Sequence, residues 1–319
     1  MTTTSEDVAR HAGVSRGAVS QILNGRGERF ASATRDRVRR AAEELGYQPS
    51  AAGRTLAKGS SDIVLAILPN TTFGGNIQDI FENATEDLAS RGLTLLLHLA
   101  TSSTAPLDRV ITGMKPRAVV SLTPFTVEER ALLNERGVKA FDPVSDYVGT
   151  NVDATIGKLQ ATHLIERGYR KIAFAHLHDA RQDPFGADRE EGVRVACRKA
   201  GLPEPTSLNL AIDLSDALSA ISALDLPGVG IACYNDDVAT ALISAAATND
   251  WRIPTDVGII GMDNTPLSAV TYPPLSTIGY DVKAAAHNLI TTTLAGIGEP
   301  VDERPQLDPA FELIPRGTT

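Results

Sequence analysis

The stretch SEDVARHAGVSRGAVSQILNG, residues 5–25, holds the side chains of this chain best suited to reading a base sequence. Val8, Ala9 and Ala12 fall on one face of a short helix, and Val19, Ile22 and Leu23 fall on one face of a second. Between them Gly13 suits a residue that must leave right-handed helical space, and Ser15 suits the N-cap of a helix starting at Arg16. This is helix-turn-helix spacing, in which the second helix lies in the major groove with its N-terminal side chains on base edges while the first crosses the phosphate backbone. The same pattern fits two core helices of an ordinary domain, so the surrounding charge matters. Residues 1–60 carry ten Lys and Arg against six acids, a surplus of +4, in a chain whose net charge is −9, which leaves −13 for the remainder. A basic head on an acidic body is the electrostatic footprint of a DNA-binding module joined to a part that does not touch DNA.

The rest of the chain offers no catalytic constellation. A phosphate-cradling GxxxxGK[ST] and a GxGxxG are missing from the sequence, and no GxSxG nucleophile turn follows an expected strand, since GVSRG at 13–17 lies between the two helices. His176 and His178 alternate along an expected strand and point the same way, with Asp179 beside them, but no third ligand follows at a recognised spacing, so no metal and no cofactor are expected. Cys197, on an expected helix, and Cys233, on an expected strand, read as buried small hydrophobes in a reducing compartment. No apolar run approaches the roughly 18 residues that span a bilayer, and MTTTSEDVARH lacks the apolar core of a signal peptide. The expectation is a cytoplasmic, nucleoid-associated protein that binds and does not catalyse.

Stepping outward from the helix pair, a third helix is expected over Ala33–Leu45, stopped by Gly46 and kept from resuming by Pro49. The Ala-rich run SAAGRTLAKGSS, Ser50–Ser61, is too short to be stable as an isolated helix and reads as a linker. From Asp62 short apolar strands alternate with amphipathic helices. The first series is IVLAILP, a helix over Gly75–Ser90, LTLLLHL, a helix around Leu107–Met114, AVVSLTP, VEERALLNERG and VKAFDP. The second series starts near Asp153 and runs through the helix IGKLQATHLIERG from Ile156, then KIAFAH, DREEGVRVACRKAG, SLNLAI, SDALSAISAL, GVGIACY, NDDVATALISAAATN, VGIIGM, STIGY and DVKAAAHNLITTTLAG to a final strand in FELIPRGTT. Alternation of this kind gives doubly wound parallel sheets, here in two lobes with a cleft where the carboxyl ends of the strands converge.

DVARHAGVSRGAVSQILNG followed by ATRDRVRRAAEELGYQPSAAGRTL resembles the DNA-binding head and hinge of the lactose-repressor (LacI/GalR) family. HLIERGYRKIAF, YNDDVATA, IPTDVGIIGMDN and PPLSTI extend the likeness to that family's periplasmic-binding-protein-like effector domain. The resemblance implies an all-α helix-turn-helix head over 1–49, a hinge helix over 50–61 and an effector and dimerisation domain over 62–319. Its N-lobe would comprise about 62–153 and 282–305, and its C-lobe about 154–281 and 306–319. Arg16, Gly17 and Gln21 fall at the family's base-contacting positions. Arginine can bridge O6 and N7 of guanine, and glutamine can pair with N7 and N6 of adenine, while Gly17 reads nothing. Ser5, Ser15, Ser20 and Asn24 are candidate phosphate contacts. Arg54 lies in the hinge block, and Leu56 matches the leucine that wedges into the minor groove. Gly53 stands where the family has alanine, a change that costs a helix about 1 kcal/mol.

For the effector, the matching positions are Asn70, Arg189, Asn235 and Asp263, with Asp146 on a looser alignment and Phe73 or Tyr280 as stacking faces. An Asn after a strand also caps the next helix, a bland reading that Asn235 fits equally well. NTTFGGN replaces the family's N-P-F-F turn at 70–76, and TSSTAPLDR is shorter than usual, so an unusual ligand or a degenerate pocket is implied. The whole is expected to be a homodimeric regulator, in most such cases a repressor, of a near-palindromic operator, controlled by a sugar or related metabolite held between the lobes. Nothing after Thr319 offers a tetramerising heptad, so a dimer is expected. A cytoplasmic sugar-binding protein with no DNA role is the alternative.

Overall fold

In the computed structural model, three helices pack around their apolar stripes at the N-terminus: α1 (Ser5–Ala12), α2 (Arg16–Leu23) and α3 (Ser32–Glu44). The structure describes residues 3–48, 55, 59–70, 75–142, 151–178, 183–301 and 310–319. Val8, Val19 and Val38, one from each helix, are fully buried and centre a small core. α1 begins with a capping box, Asp7 N donating to Thr4 Oγ1 (3.4 Å) and Thr4 N donating to Asp7 Oδ2 (3.0 Å). Gly13 ends it at φ 62°, a left-handed conformation that glycine adopts without a steric penalty. α3 starts at Ser32, one residue before the sequence pattern suggests, and its cap residue Ala31 offers no side-chain acceptor.

Beyond Asp62 the chain builds two sheets. The first takes β1 (Ile63–Leu68), α4 (Gly75–Ser90), β2 (Thr94–Leu99), α5 (Ala105–Met114), β3 (Ala118–Ser121), α6 (Val127–Glu135) and the two-residue β4 (Ala140–Phe141), with strand order β2-β1-β3-β4, all parallel. The second takes α7 (Val152–Glu166), β5 (Lys171–Leu177), α8 (Gly186–Lys199), β6 (Thr206–Leu210), α9 (Leu214–Ser222), β7 (Val229–Cys233), α10 (Asp236–Thr248), β8 (Val257–Met262) and β9 (Ser276–Tyr280). Its order is β10-β9-β8-β7-β5-β6, with only β10 (Phe311–Ile314) antiparallel. A short 3-10 turn at Pro266–Ala269, without a counterpart in the sequence reading, lies between β8 and β9. The central strands VGIAC and VGIIGM are buried at every residue, the continuous apolar runs that helices on both faces of a parallel sheet require.

Two segments return to sheets begun earlier. α11 (Val282–Ile297) packs on α4, and its Ile290, Leu294 and Ile297 join Val64, Phe81, Leu88 and Val120 in the core of the first sheet. β10 pairs with β9, and the residues after it are buried: Thr318 Oγ1 donates to the Ile259 carbonyl (2.6 Å) and accepts from Ser276 N (2.8 Å). Cys197 on α8 and Cys233 on β7 are buried and unpaired, as small core side chains. The fold class is thus an all-α head with a two-sheet α/β body.

Candidate functional site

On the head, α2 turns Ala18, Val19 and Ile22 inward, which leaves Arg16, Gly17 and Ser20 exposed and Gln21 half-buried at its outer side. Ser15 Oγ accepts from Ala18 N at 3.2 Å, so this serine holds the first turn of the helix that presents Arg16. Asn24 closes the helix: its Nδ2 donates to Ser20 Oγ (3.3 Å), and its Oδ1 is buried with no partner. Ser5 is the first residue of α1 and half-buried. Arg54 and Leu56 of the hinge lie outside the described residues, as do Gly53, Phe73 and Asp146.

In the body, the second sheet brings charge together where its strands end. α7 and α8 cross so closely that a methyl on Gly157 would overlap the Arg189 carbonyl and one on Gly192 would overlap the Ala154 carbonyl. That approach sets Asp153 of α7 against Arg189 of α8, whose Nε donates to Asp153 Oδ1 at 2.9 Å. Arg189 is 7% exposed. Its Nη1 donates to the Tyr234 carbonyl at 2.6 Å, at the end of β7. The guanidinium carbon lies 5.2 Å from the Phe185 ring and 5.1 Å from the Tyr234 ring, and those rings are 6.5 Å apart and nearly parallel. Burial pushes the Asp153 carboxyl above its ordinary range against the opposing pull of Arg189.

Asp263 follows β8 with φ 107°. Loss of water pushes its carboxyl up to about 7, helped by the charges of Asp236 and Asp237 and opposed by Arg189. Tyr280 ends β9, and burial first, then the charges of Asp263, Asp153 and Asp79, raise its hydroxyl, which places it among the same groups. From the helix after the first strand of the other sheet, Asn76 on the first turn of α4 donates Nδ2 to the Asp263 carbonyl at 2.6 Å, a bond that joins the two halves of the body. Asn70 follows β1 and is exposed.

Asn235 is 3% exposed, and its side chain accepts from Val238 N at 3.0 Å, capping α10. The capping role is therefore occupied. Asp236 beside it is 1% exposed, takes Thr277 Oγ1 (2.6 Å), Thr265 N (2.7 Å) and Thr265 Oγ1 (3.0 Å), and is pushed up to about 6, chiefly by burial. It fixes the loop that carries Asp263.

The sequence positions Arg189, Asp263 and Tyr280 thus converge, and Asn235 follows the Tyr234 whose carbonyl Arg189 holds. Asp153, Phe185, Tyr234 and Asn76 were missed. The signal for Asp153 was present in the glycines: Gly157 four residues after it and Gly192 three residues after Arg189 mark two helices that touch backbone to backbone. A guanidinium, two carboxyls and aromatic faces supply donors, acceptors and an apolar wall, a set that matches a small molecule bearing several hydroxyls. Among the described residues no cluster of His, Cys, Asp and Glu could hold a metal ion.

Two family models match. That of the bacterial regulatory proteins, lacI family, covers residues 4–50, and that of the periplasmic binding protein-like domain covers residues 161–319. The chain belongs to the LacI family. Relatives of this LacI-family chain include the HTH-type transcriptional regulator GntR of Pseudomonas aeruginosa, 29% identical over 99% of this chain and 95% of that protein. The HTH-type transcriptional repressor CytR of Escherichia coli is 27% identical over 99% of this chain and 96% of that protein. Among solved structures, the lac repressor dimer bound to operator and the anti-inducer ONPF shares the fold at a TM-score of 0.76 and 18% identity, covering 100% of this chain and 99% of that one. A complex of the transcriptional regulator CelR with cellobiose does so at 0.67 and 21%, covering 99% and 100%. In the LacI-family head, the lacI match takes in all of α1, α2 and α3.

Proposed function

We propose that this chain is a sequence-specific, DNA-binding transcriptional repressor controlled by a small-molecule effector, a sugar or related metabolite, held between its two lobes. One observation carries the reading: a capped helix presenting Arg16 to solvent and a buried, aromatic-flanked Arg189 where the strands of the second sheet end occur in a single chain of this family. Two heads of a homodimer would bind the halves of a near-palindromic operator, because a two-fold protein imposes two-fold symmetry on its site. Effector that prefers one lobe arrangement shifts the population toward it and so changes operator affinity. The division into head 1–49, hinge 50–61 and sensor 62–319 belongs to this reading, as does a cytoplasmic, nucleoid-associated location. No described helix is long and apolar enough to cross a membrane. The relatives are named regulators and repressors, and we take the cleft to act by binding, without catalysis.

Arg16 and Gln21 are the proposed base readers, Ser5, Ser15, Ser20 and Asn24 the phosphate contacts, with Arg54 and Leu56 in the hinge. Arg189, Asp263 and Tyr280 are the proposed effector contacts, together with Asn70, Asn235, Phe73 and Asp146. The test is a gel-shift of full-length protein on genomic fragments against random competitor. Selective binding is expected, and Arg16→Ala should flatten the preference among operator variants while leaving salt-dependent nonspecific binding in place. Equal affinity for every fragment would end the reading, and an unchanged preference in the variant would remove Arg16 from the reading face.

A further inference from the structure

His176, near the end of β5, sits between two carboxylates. Its Nδ1 lies 2.7 Å from Asp183 Oδ2, and its Nε2 lies 3.2 Å from Glu190 Oε2. An ionised carboxylate only accepts, so both contacts are hydrogen bonds only when both ring nitrogens carry hydrogen, that is, in the imidazolium. The three side chains are 14%, 13% and 15% exposed, and the ring stands edge-on to Phe174 with centroids 4.7 Å apart. Each carboxylate is also tied to α8, Asp183 just before it and Glu190 within it. Asp183 Oδ1 accepts from Gly186 N at 2.6 Å, at the first residue of that helix, and Glu190 follows Arg189 directly.

We propose that His176 is a positioning residue for the cleft: as an imidazolium held between Asp183 and Glu190 it fastens the start of α8 to the end of β5, and through that turn fixes the Arg189 guanidinium. The proposal deepens the effector reading, on which its functional meaning rests, but the fastening of α8 can be measured without any effector.

The charged surroundings support a link to pH. On α8, Arg194 Nη2 lies 3.5 Å from Glu190 Oε1 and also pairs with Glu191 and with Glu204. From α7, Asp153 lies within the field of Asp183 and Asp188. β6 sets uncharged Asn209 beside His176, and β7 sets Cys233, its thiol pushed well up by burial, beside Ala175. His178, two residues along the chain, is exposed. Burial alone would lower the proton affinity of the His176 ring, and the hydrogen bonds and charges of Asp183 and Glu190 outweigh it and raise it. A histidine raised in the folded state contributes its full stabilisation below the ordinary value of about 6.5 and loses it as pH climbs through the folded-state value, by tenfold for roughly each unit of the rise.

Hydrogen exchange of the full-length protein tests this, read on peptides covering residues 185–193 and corrected for the intrinsic pH dependence of exchange. Wild-type protection there should fall on the order of tenfold between about pH 6 and about pH 9 while peptides of β7 hold theirs. His176→Gln, which can donate to one carboxylate and carries no charge, should give low protection with a flat profile. Wild-type protection that does not change with pH, or a variant that keeps the wild-type profile, overturns the proposal. Should the variant not fold, titration of the His176 ring in the wild type by NMR decides: a midpoint above about 6.5 supports the fastening, and one at or below it sinks it. A protein that selects no DNA would undo the regulator reading and leave these exchange profiles standing.

Discussion

Arg189 occupies a position where a lone charge is costly, and its neighbours explain why it stays. Asp153 neutralises it, the Tyr234 carbonyl takes one of its donors, and two aromatic faces flank its plane. Removing one member of a buried pair strands the other, so Arg189→Ala should lower the unfolding free energy by about 3 kcal/mol, measured in urea. It should also abolish any thermal shift that a sugar gives the wild type. Asp263 makes a prediction of a different sign. Its carboxyl titrates near 7 in the folded protein and near about 3.9 in an unfolded chain. The unfolded state therefore sheds its proton first, and stability falls as pH climbs from about 4 to about 7, then levels. Asp263→Asn should flatten most of that fall in melting temperature against pH, leaving the share due to Asp236. At this scale it was the family likeness that named Arg189 and Asp263, with Tyr280 as a stacking face, while partners such as Phe185 and Tyr234 depend on a packing angle that no local pattern encodes.

At the scale of elements, legibility followed the strength of the period. β8 and β9 coincide with VGIIGM and STIGY, and α4 with Gly75–Ser90, because continuous apolar runs and a clear helical stripe leave little choice. α7 begins at Val152, four residues before the expected Ile156. Its N-cap is Asn151, whose side chain accepts from Ala154 N at 3.0 Å, a signal weakened in the sequence by the threonine and glycine around it. The α7–α8 crossing was invisible to periodicity, since what brings the helices together is absent side chains at Gly157 and Gly192. Gly157→Ala should push the helices apart against a backbone carbonyl that cannot swing away. The expected cost is about 1–3 kcal/mol in chemical denaturation, accompanied by loss of the Asp153–Arg189 bond and of effector binding.

At the scale of the whole molecule, apolar side chains remain uncovered on two parts of the body. Edge strand β2 exposes Leu97 and Leu99, and the segment after β8 exposes Leu267, Val270 and Tyr272, the last at 94%. Open apolar edges invite association, and in the proposed homodimer a second copy would cover them. Leu99→Asp combined with Tyr272→Asp should sediment as a monomer at micromolar concentration and lose its grip on a two-fold DNA site. A second global feature lies in the routing of the chain. The first sheet has its strands early, yet Ile290, Leu294 and Ile297, which close its core, are made after the second sheet's helices. The second sheet in turn needs Thr318 and its neighbours to complete the hydrogen bonding of Ile259 and Ser276. A ribosome thus extrudes a head that can fold at once on its own core, followed by two halves that ripen together only when the closing segments emerge. A premature stop anywhere between β4 and α11 would release a folded head tethered to a body with one raw apolar face, a substrate for quality-control proteases and not a half-working switch.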